Sequence, residues 1–319
     1  MKNKPILLVA GEPNSVFLEI LFKIFKNKKF KSPLILVCSK QILESQMKYF
    51  NYKFKIKILD KNKISSYNLD NNSLNVINVN YKQKKTFEKI STKSNSYIQK
   101  SFSIAINLIK SNLTKKFING PISKKYFLNN KFLGITEYLT SKFKISNTAM
   151  LIYNKKLSVC PITTHLSIKD VPKKITKKLI INNIKTINNF FKKNLKKKPT
   201  IAITGLNPHC ESKTNEENKI ITPAIKYLRE KKIDIFGPFP ADTIFLKDNR
   251  KKYDVIVGMY HDQVLTPLKT LFEYDAINIT MGLPFIRISP DHGPNVNMLG
   301  QNKSSPVSLM EALKFLDKR

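Results

Sequence analysis

Short apolar runs alternating with longer segments of helical period constrain this chain more than any other feature. "PILLVA" (5–10), "SPLILVCS" (32–39), "KFINGPI" (116–122), "PTIAITG" (199–205) and "YDVIVGM" (253–259) are strand-length, and each leads into turn-forming or polar residues. Near-continuous apolar character at that length suits strands buried on both faces. Between them, 15–27 places Phe17, Ile20, Leu21 and Ile24 on one helical face. A second helix runs through Leu43, Met47 and Phe50, and a third spans about 95–113. The alternation predicts an α/β fold with a mostly parallel sheet, in which ligands bind at the carboxyl edge of the strands. The polar stretch 60–75 reads as an exposed excursion.

The middle of the chain has a different texture. "TAMLIYNKKLSVCPITTHLS" (148–167) predicts two strands joined by Asn154-Lys155-Lys156 as a hairpin. A helix is expected from about 170 to 195, with Asp170 as N-cap and Pro172 in its first turn. There is no repeat at fixed period and no linker rich in Pro, Gly or Ser, so two domains with strands crossing between them are expected.

The formal charge of +35 would ordinarily point to a nucleic acid or an anionic membrane. Against that, only Arg229, Arg250, Arg287 and Arg319 carry the forked guanidinium that such readers favour, and the lysines are spread along the whole chain. Solvated lysine faces explain the charge better, and nucleic acid is not expected as the partner. Cys38, Cys160 and Cys210 lack paired spacing, which fits a reducing, cytoplasmic setting. No stretch approaches the ~18 apolar residues of a spanning helix, so no membrane partner is expected.

Three of the four histidines follow predicted strands: His165 in "PITTHLS", His209 in "GLNPHC" and His261 in "GMYHDQ". A lone histidine after a strand is more often a hydrogen-bonding residue than a ligand, but three in equivalent positions suggest one cluster. Three imidazoles suit a divalent transition metal with an open position, and Asp262 could orient a ligand from behind. No H-x-x-x-H pair or HExxH fixes that geometry locally. Downstream, Lys269, Asn278, Arg287, Asp291 and His292 lie among Gly and Pro. Arg287 falls in a predominantly apolar strand and needs an anionic partner, either a ligand or an internal carboxylate such as Asp291 or Glu273. "GEPNS" has one glycine, so the usual Rossmann fingerprint is absent.

"GEPNSVFLEI", "NGPISK", "GITEYL", "THLSIKDVP", "GLNPHC" followed by "EE", "GPFPADTIF", "MYHDQ" and "NITMGLPFIRISPDHG" occur in an order that resembles the 4-hydroxythreonine-4-phosphate dehydrogenase (PdxA) family of pyridoxal phosphate biosynthesis. The resemblance covers nearly the whole chain. It implies an α/β/α two-domain fold like that of isocitrate and isopropylmalate dehydrogenases, with the active site in an interdomain cleft and a homodimer that shares it. It implies NAD or NADP and a divalent metal, zinc or alternatively magnesium or cobalt. By position, His165, His209 and His261 become metal ligands, the last given by the partner subunit, and with Asp262 they form the catalytic set. Thr136, Lys269, Asn278 and Arg287 become substrate-binding; Asp242, Gly282, Asp291 and His292 become cofactor-binding. Residues 1–122 with 290–319 are expected as one domain, and 123–289 as the domain carrying the metal ligands and the dimer interface.

Three departures bear on substrate. Ile135 stands where the family motif commonly has histidine, and both the first loop and the loop after His209 lack the family's glycines. The implied reaction is oxidation of 4-phosphooxy-threonine at its secondary alcohol with decarboxylation to 3-amino-2-oxopropyl phosphate. Alternatives are the same chemistry on threonate or erythronate phosphate, or a non-catalytic polyanion-binding protein on a decayed scaffold.

Overall fold

A computed structural model describes residues 3–27, 30–127, 132, 134–290 and 293–319. The first part of the chain forms β1 (Ile6–Val9), α1 (Phe17–Asn27), β2 (Leu34–Cys38), α2 (Lys40–Tyr49), β3 (Ile56–Ile58), β4 (Leu74–Asn78), α3 (Asn95–Lys110), β5 (Lys116–Asn119) and α4 (Ile135–Phe143). The middle forms β6 (Ala149–Tyr153), β7 (Ser158–Pro161), α5 (Lys177–Phe190), β8 (Ile201–Thr204), α6 (Thr222–Glu230) and β9 (Ile235–Phe239). β10 (Val255–Gly258), α7 (His261–Phe272), β11 (Ile277–Met281), β12 (Ile286–Pro290) and α8 (Val307–Asp317) complete it. Shorter helical turns link several of these.

The chain divides into two compact units, 1–139 with 284–319, and 140–283. The crossings therefore come later than 122/123 and earlier than 289/290, which moves Thr136 and Arg287 into the first unit. Its strands run in the order β3-β4-β2-β1-β5-β12, all parallel. β1, β2 and β5 are buried along their full length, as strands covered on both faces must be. The face of α1 bearing Phe17, Ile20, Leu21 and Ile24 is buried, as its spacing predicts.

The second unit has the order β11-β6-β7-β10-β8-β9. β11 pairs antiparallel with β6, and β6 with β7, while β7, β10, β8 and β9 are parallel neighbours. The β6–β7 turn is the expected hairpin, with Asn154 Oδ1 accepting the Lys156 N–H at 2.9 Å. Asp170 holds the N-cap position of a short helical turn, Val171–Lys174, with Pro172 in its first turn as expected, but makes no side-chain cap bond there and does not cap the long helix. Its carboxylate accepts the Ser167 hydroxyl at 2.5 Å, and α5 begins later, where Thr176 Oγ1 accepts the Leu179 N–H at 3.1 Å. β4 follows the polar excursion and escaped the sequence pattern because "LNVIN" is broken by asparagine. Asn75 is nonetheless buried, donating to the Leu34 carbonyl at 3.0 Å and the Asp70 carbonyl at 2.6 Å. Among the described residues no helix is long and apolar enough to cross a membrane.

Candidate active site

In the second unit the three histidines stand beyond the carboxyl ends of β7, β10 and β8, which are adjacent and parallel. Parallel pairing points all three strands the same way, so residues shortly after each end reach one edge. His165 is exposed in the segment after β7, and its ring centre lies 6.2 Å from that of His261 in the same chain. His261 is the first residue of α7 rather than part of a loop. Its Nδ1 lies 2.6 Å from Asp262 Oδ1. An ionised carboxylate can only accept, so Nδ1 carries the proton and Nε2 is left to face a ligand.

His209 lies in the turn Pro208–Cys210 after β8 and is exposed. Its φ is +54° and that of Cys210 is +62°, a left-handed conformation that costs L-residues on the order of 1–2 kcal/mol each. The turn is held from below by a buried carboxylate. Glu217 Oε1 accepts the Leu206 and Asn207 N–H groups, both at 2.9 Å, and Glu216 accepts Asn207 Nδ2 and the Ser212 hydroxyl, both at 3.0 Å. This network anchors the chain on both sides of the left-handed pair His209–Cys210. Among the described residues no three His, Cys, Asp or Glu side chains group as a metal site, so within one chain His209 is not grouped with the His165–His261 pair. Two imidazoles about 6 Å apart are compatible with metal–nitrogen bonds of about 2.1 Å to one ion. The donor chemistry fits a divalent ion, with one donor still to be brought in.

The anion-binding candidates fall in both units. In the first, Arg287 on β12 is 2% exposed. Its Nε donates to Asn119 Oδ1 at 2.7 Å and its terminal nitrogen to Thr136 Oγ1 at 3.4 Å. Burial lowers the guanidinium pKa to about 10 and Glu137 opposes that shift, so the internal carboxylate acting on it is Glu137, next to Thr136. In the second unit, Lys269 lies further along the same helix as His261, and burial pushes its pKa down. Asn278 on β11 has a buried Oδ1 with no hydrogen-bond partner, an acceptor that a ligand could satisfy.

Of the cofactor residues, Asp242 is exposed in the turn Ala241–Ile244, which follows β9. Gly282 has φ +95°, and a Cβ there would come within 2.4 Å of the Asn147 carbonyl oxygen, so its glycine has a structural reason of its own. Asp291 and His292 lie outside the described residues. Asn119, Gln263 and Glu217 lie inside the motifs "NGPISK", "MYHDQ" and "EE", but no role was assigned to them from the sequence, because their partners become visible only once the strand order is known.

A family model described as pyridoxal phosphate biosynthetic protein PdxA matches residues 29–316. The chain belongs to the PdxA family. A 4-hydroxythreonine-4-phosphate dehydrogenase from Sulfurihydrogenibium sp. is 38% identical to it, covering 97% of this chain and 96% of the relative. A D-threonate 4-phosphate dehydrogenase from Salmonella typhimurium is 28% identical over 99% of this chain and 98% of its own length. The crystal structure of 4-hydroxythreonine-4-phosphate dehydrogenase from Klebsiella pneumoniae superimposes with a TM-score of 0.86 at 27% identity, covering 98% of this chain and 97% of that one. Isocitrate dehydrogenase from Methylococcus capsulatus, at 8% identity and a TM-score of 0.50, shares the fold over 98% of this chain and 84% of its own. The α/β architecture expected from the sequence is thus that of PdxA proteins and resembles that of isocitrate dehydrogenases. Ile135, the departure noted in the sequence, opens α4 immediately before Thr136.

Proposed function

We propose that the chain is a metal- and NAD(P)-dependent dehydrogenase acting on 4-phosphooxy-L-threonine in pyridoxal 5′-phosphate biosynthesis, and that it works in the cytoplasm as a homodimer with shared active sites. The observation that carries this reading is the placement of His165, His209 and His261 at the ends of three adjacent parallel strands, in a member of the PdxA family. His165 and His261 would hold the ion, with His209 completing the donor set. A divalent ion there, zinc or alternatively magnesium or cobalt, would act as a Lewis acid toward the substrate's alcohol oxygen while NAD(P)+ accepts the hydride.

This chain's own residues do the rest. Asp262 holds the Nδ1 proton of His261 and fixes the ring. Arg287, oriented by Asn119 and Thr136, together with Lys269 and Asn278, positions the phosphate and carboxylate. Asp242, Gly282, Asp291 and His292 are assigned to the dinucleotide. Loss of the hydroxyl proton and the hydride leaves a ketone β to the carboxylate. The bond to the carboxylate then breaks, its electron pair moves toward the ketone oxygen and CO2 departs. A proton adds to the carbon left behind, giving 3-amino-2-oxopropyl phosphate.

Chelation is expected to abolish activity, and His165→Ala or His209→Ala to weaken metal binding by orders of magnitude. Full activity in metal-free protein would contradict the reading. Ile135 favours one second reading, D-threonate or erythronate phosphate as substrate, because it offers no polar contact to the group by which these acids differ from the amino acid. Comparing kcat/KM on 4-phosphooxy-L-threonine and D-threonate 4-phosphate decides between them.

A further inference from the structure

We infer that Glu19 and Lys23 are positioning residues for the dinucleotide: together they hold the segment 293–304, which follows β12 directly after Asp291 and His292. This rests on the assignment of those two residues to NAD(P) and goes beyond it, since Glu19 is buried and acts only through the segment it holds.

β12 ends at Pro290, at the carboxyl edge of the first unit's parallel strands, and the chain beyond it returns to α1. The Val16 N–H, just before α1, donates to the Pro294 carbonyl at 3.2 Å, which ties one end of the segment to the start of the helix. The other end is tied about two turns further along. Lys23 Nζ donates to Glu19 Oε1, to the Asn302 carbonyl and to the Ser304 carbonyl, each at 2.9 Å, and so uses all three ammonium donors. Glu19 Oε1 also accepts the Ser304 N–H at 2.8 Å. Between these ties the chain closes on itself: the Met298 N–H donates to the Asn295 carbonyl at 3.0 Å, and the Leu299 and Gln301 N–H groups donate to the Val296 and Met298 carbonyls at 3.1 Å. A Cβ on Gly300 would come within 3.2 Å of Tyr49 Oη and 3.3 Å of Phe87, so this turn rests on those rings. It presents an exposed Val296 and Asn297 at the ligand edge, an apolar surface and an amide that suit a flat heterocycle.

Helix stabilisation does not account for the pair. An i,i+4 ion pair supports a helix weakly and from its solvent face. Glu19 is instead 1% exposed, and Lys23 spends two donors on a segment at the other end of the sequence. Nor does the fold alone call for it, since apolar side chains of similar size would join α1 to this segment without a buried charge. Glu19 Oε2 and Ser304 Oγ are both buried with no hydrogen-bond partner in the protein, so the carboxylate is kept despite imperfect pairing. What the pair supplies is direction: two carbonyls and one N–H are each fixed at one distance, where apolar packing would let the segment slide. Releasing that tie lets the chain after β12 shift without removing any group that meets the dinucleotide.

The test is equilibrium binding of NAD+ and NADP+ to the full-length protein, with KM for the phosphorylated substrate measured at saturating dinucleotide. Lys23→Met keeps the aliphatic stem and loses all three donors. It is expected to weaken dinucleotide binding roughly 5–30-fold, the equivalent of one or two hydrogen bonds, while KM for the phosphorylated substrate stays unchanged. Lys23→Met leaves Glu19 buried and unpaired, so the double variant Glu19→Gln/Lys23→Met decides the matter if the single one does not fold. The double variant keeps an acceptor for the Ser304 N–H, removes both charges and is expected to show the same loss. Ile35→Val, in the core of the same unit, serves as a destabilised control that leaves both constants unchanged. Unchanged dinucleotide affinity in the folded Lys23 variants, an equal rise in KM for the phosphorylated substrate, or an equal loss in Ile35→Val would overturn the inference. Wild-type protein that binds neither NAD+ nor NADP+ would instead overturn the dinucleotide assignment itself.

Discussion

At the scale of single residues, Arg287 and Glu12 show what burial does to charge. Arg287 is buried with a fork aimed by Asn119, and lysine cannot reproduce two parallel N–H donors. Arg287→Lys is expected to raise KM for the phosphorylated substrate roughly 10–100-fold, the effect of losing a charge-assisted hydrogen bond, with the far-UV circular dichroism unchanged. An unchanged KM would make it a structural residue. Glu12, 2% exposed, accepts the Asn14 N–H at 3.3 Å and the Ser94 hydroxyl at 3.1 Å, and burial raises its pKa above the ordinary 4.5. The folded state keeps this proton where the unfolded chain has lost it, so the carboxyl costs stability as pH rises from about 4.5 through its raised value. Glu12→Gln cannot ionise, so its Tm is expected to gain on the wild type as pH rises from about 4.5 through the raised pKa. A constant difference across that range would show that Glu12 ionises normally. The need of Arg287 for an anionic partner was legible in the sequence. That an internal carboxylate, Glu137, also acts on it was not, because β12 and the start of α4 are far apart in the chain.

At the scale of elements, strands written as unbroken apolar runs were legible, and β1, β2, β8 and β10 lie within the expected stretches. β3 and β4 were hidden by polar residues that hydrogen bonds satisfy in the fold, and the helix expected at 170–195 starts with Asp170 at its N-cap position and Pro172 in its first turn but is interrupted at the extended Ile175, after which Thr176 caps the long part. The strand-end histidines were legible, since turn residues and imidazoles mark them. The hydrogen bonds by which Gln263 joins the end of β10 to the end of β8 were not, because they depend on β10 lying between β7 and β8, an order that local pattern does not encode. Gly258 tests the packing at this point. Gly258→Ala is expected to destabilise the protein by about 1–3 kcal/mol through overpacking against the buried Val264, read as a lowered denaturant midpoint. A neutral effect would mean that α7 shifts freely at its start.

At the scale of the whole molecule, the proposed sharing of each site between two subunits has a direct genetic test. Doubly tagged heterodimers of His209→Ala with His261→Ala are expected to recover about half the wild-type activity if these two ligands come from different chains, since one site keeps every ligand and the other loses two. Heterodimers as inactive as their parents would place both ligands in one chain. The pair His165→Ala with His261→Ala then separates two divisions of the ligands. Recovery means that His261 reaches across to its partner, as the family resemblance implies. No recovery means that His165 and His261 act from one chain, as their 6.2 Å approach allows. The most direct measurement supplies purified protein with 4-phosphooxy-L-threonine, NAD+ or NADP+ and a divalent ion, and counts reduced nucleotide and CO2 together. The expected result is one CO2 for each nucleotide reduced, lost on chelation and regained when metal is restored. Metal-loaded dimer that forms neither product from this substrate or from D-threonate 4-phosphate would contradict the proposed dehydrogenase function.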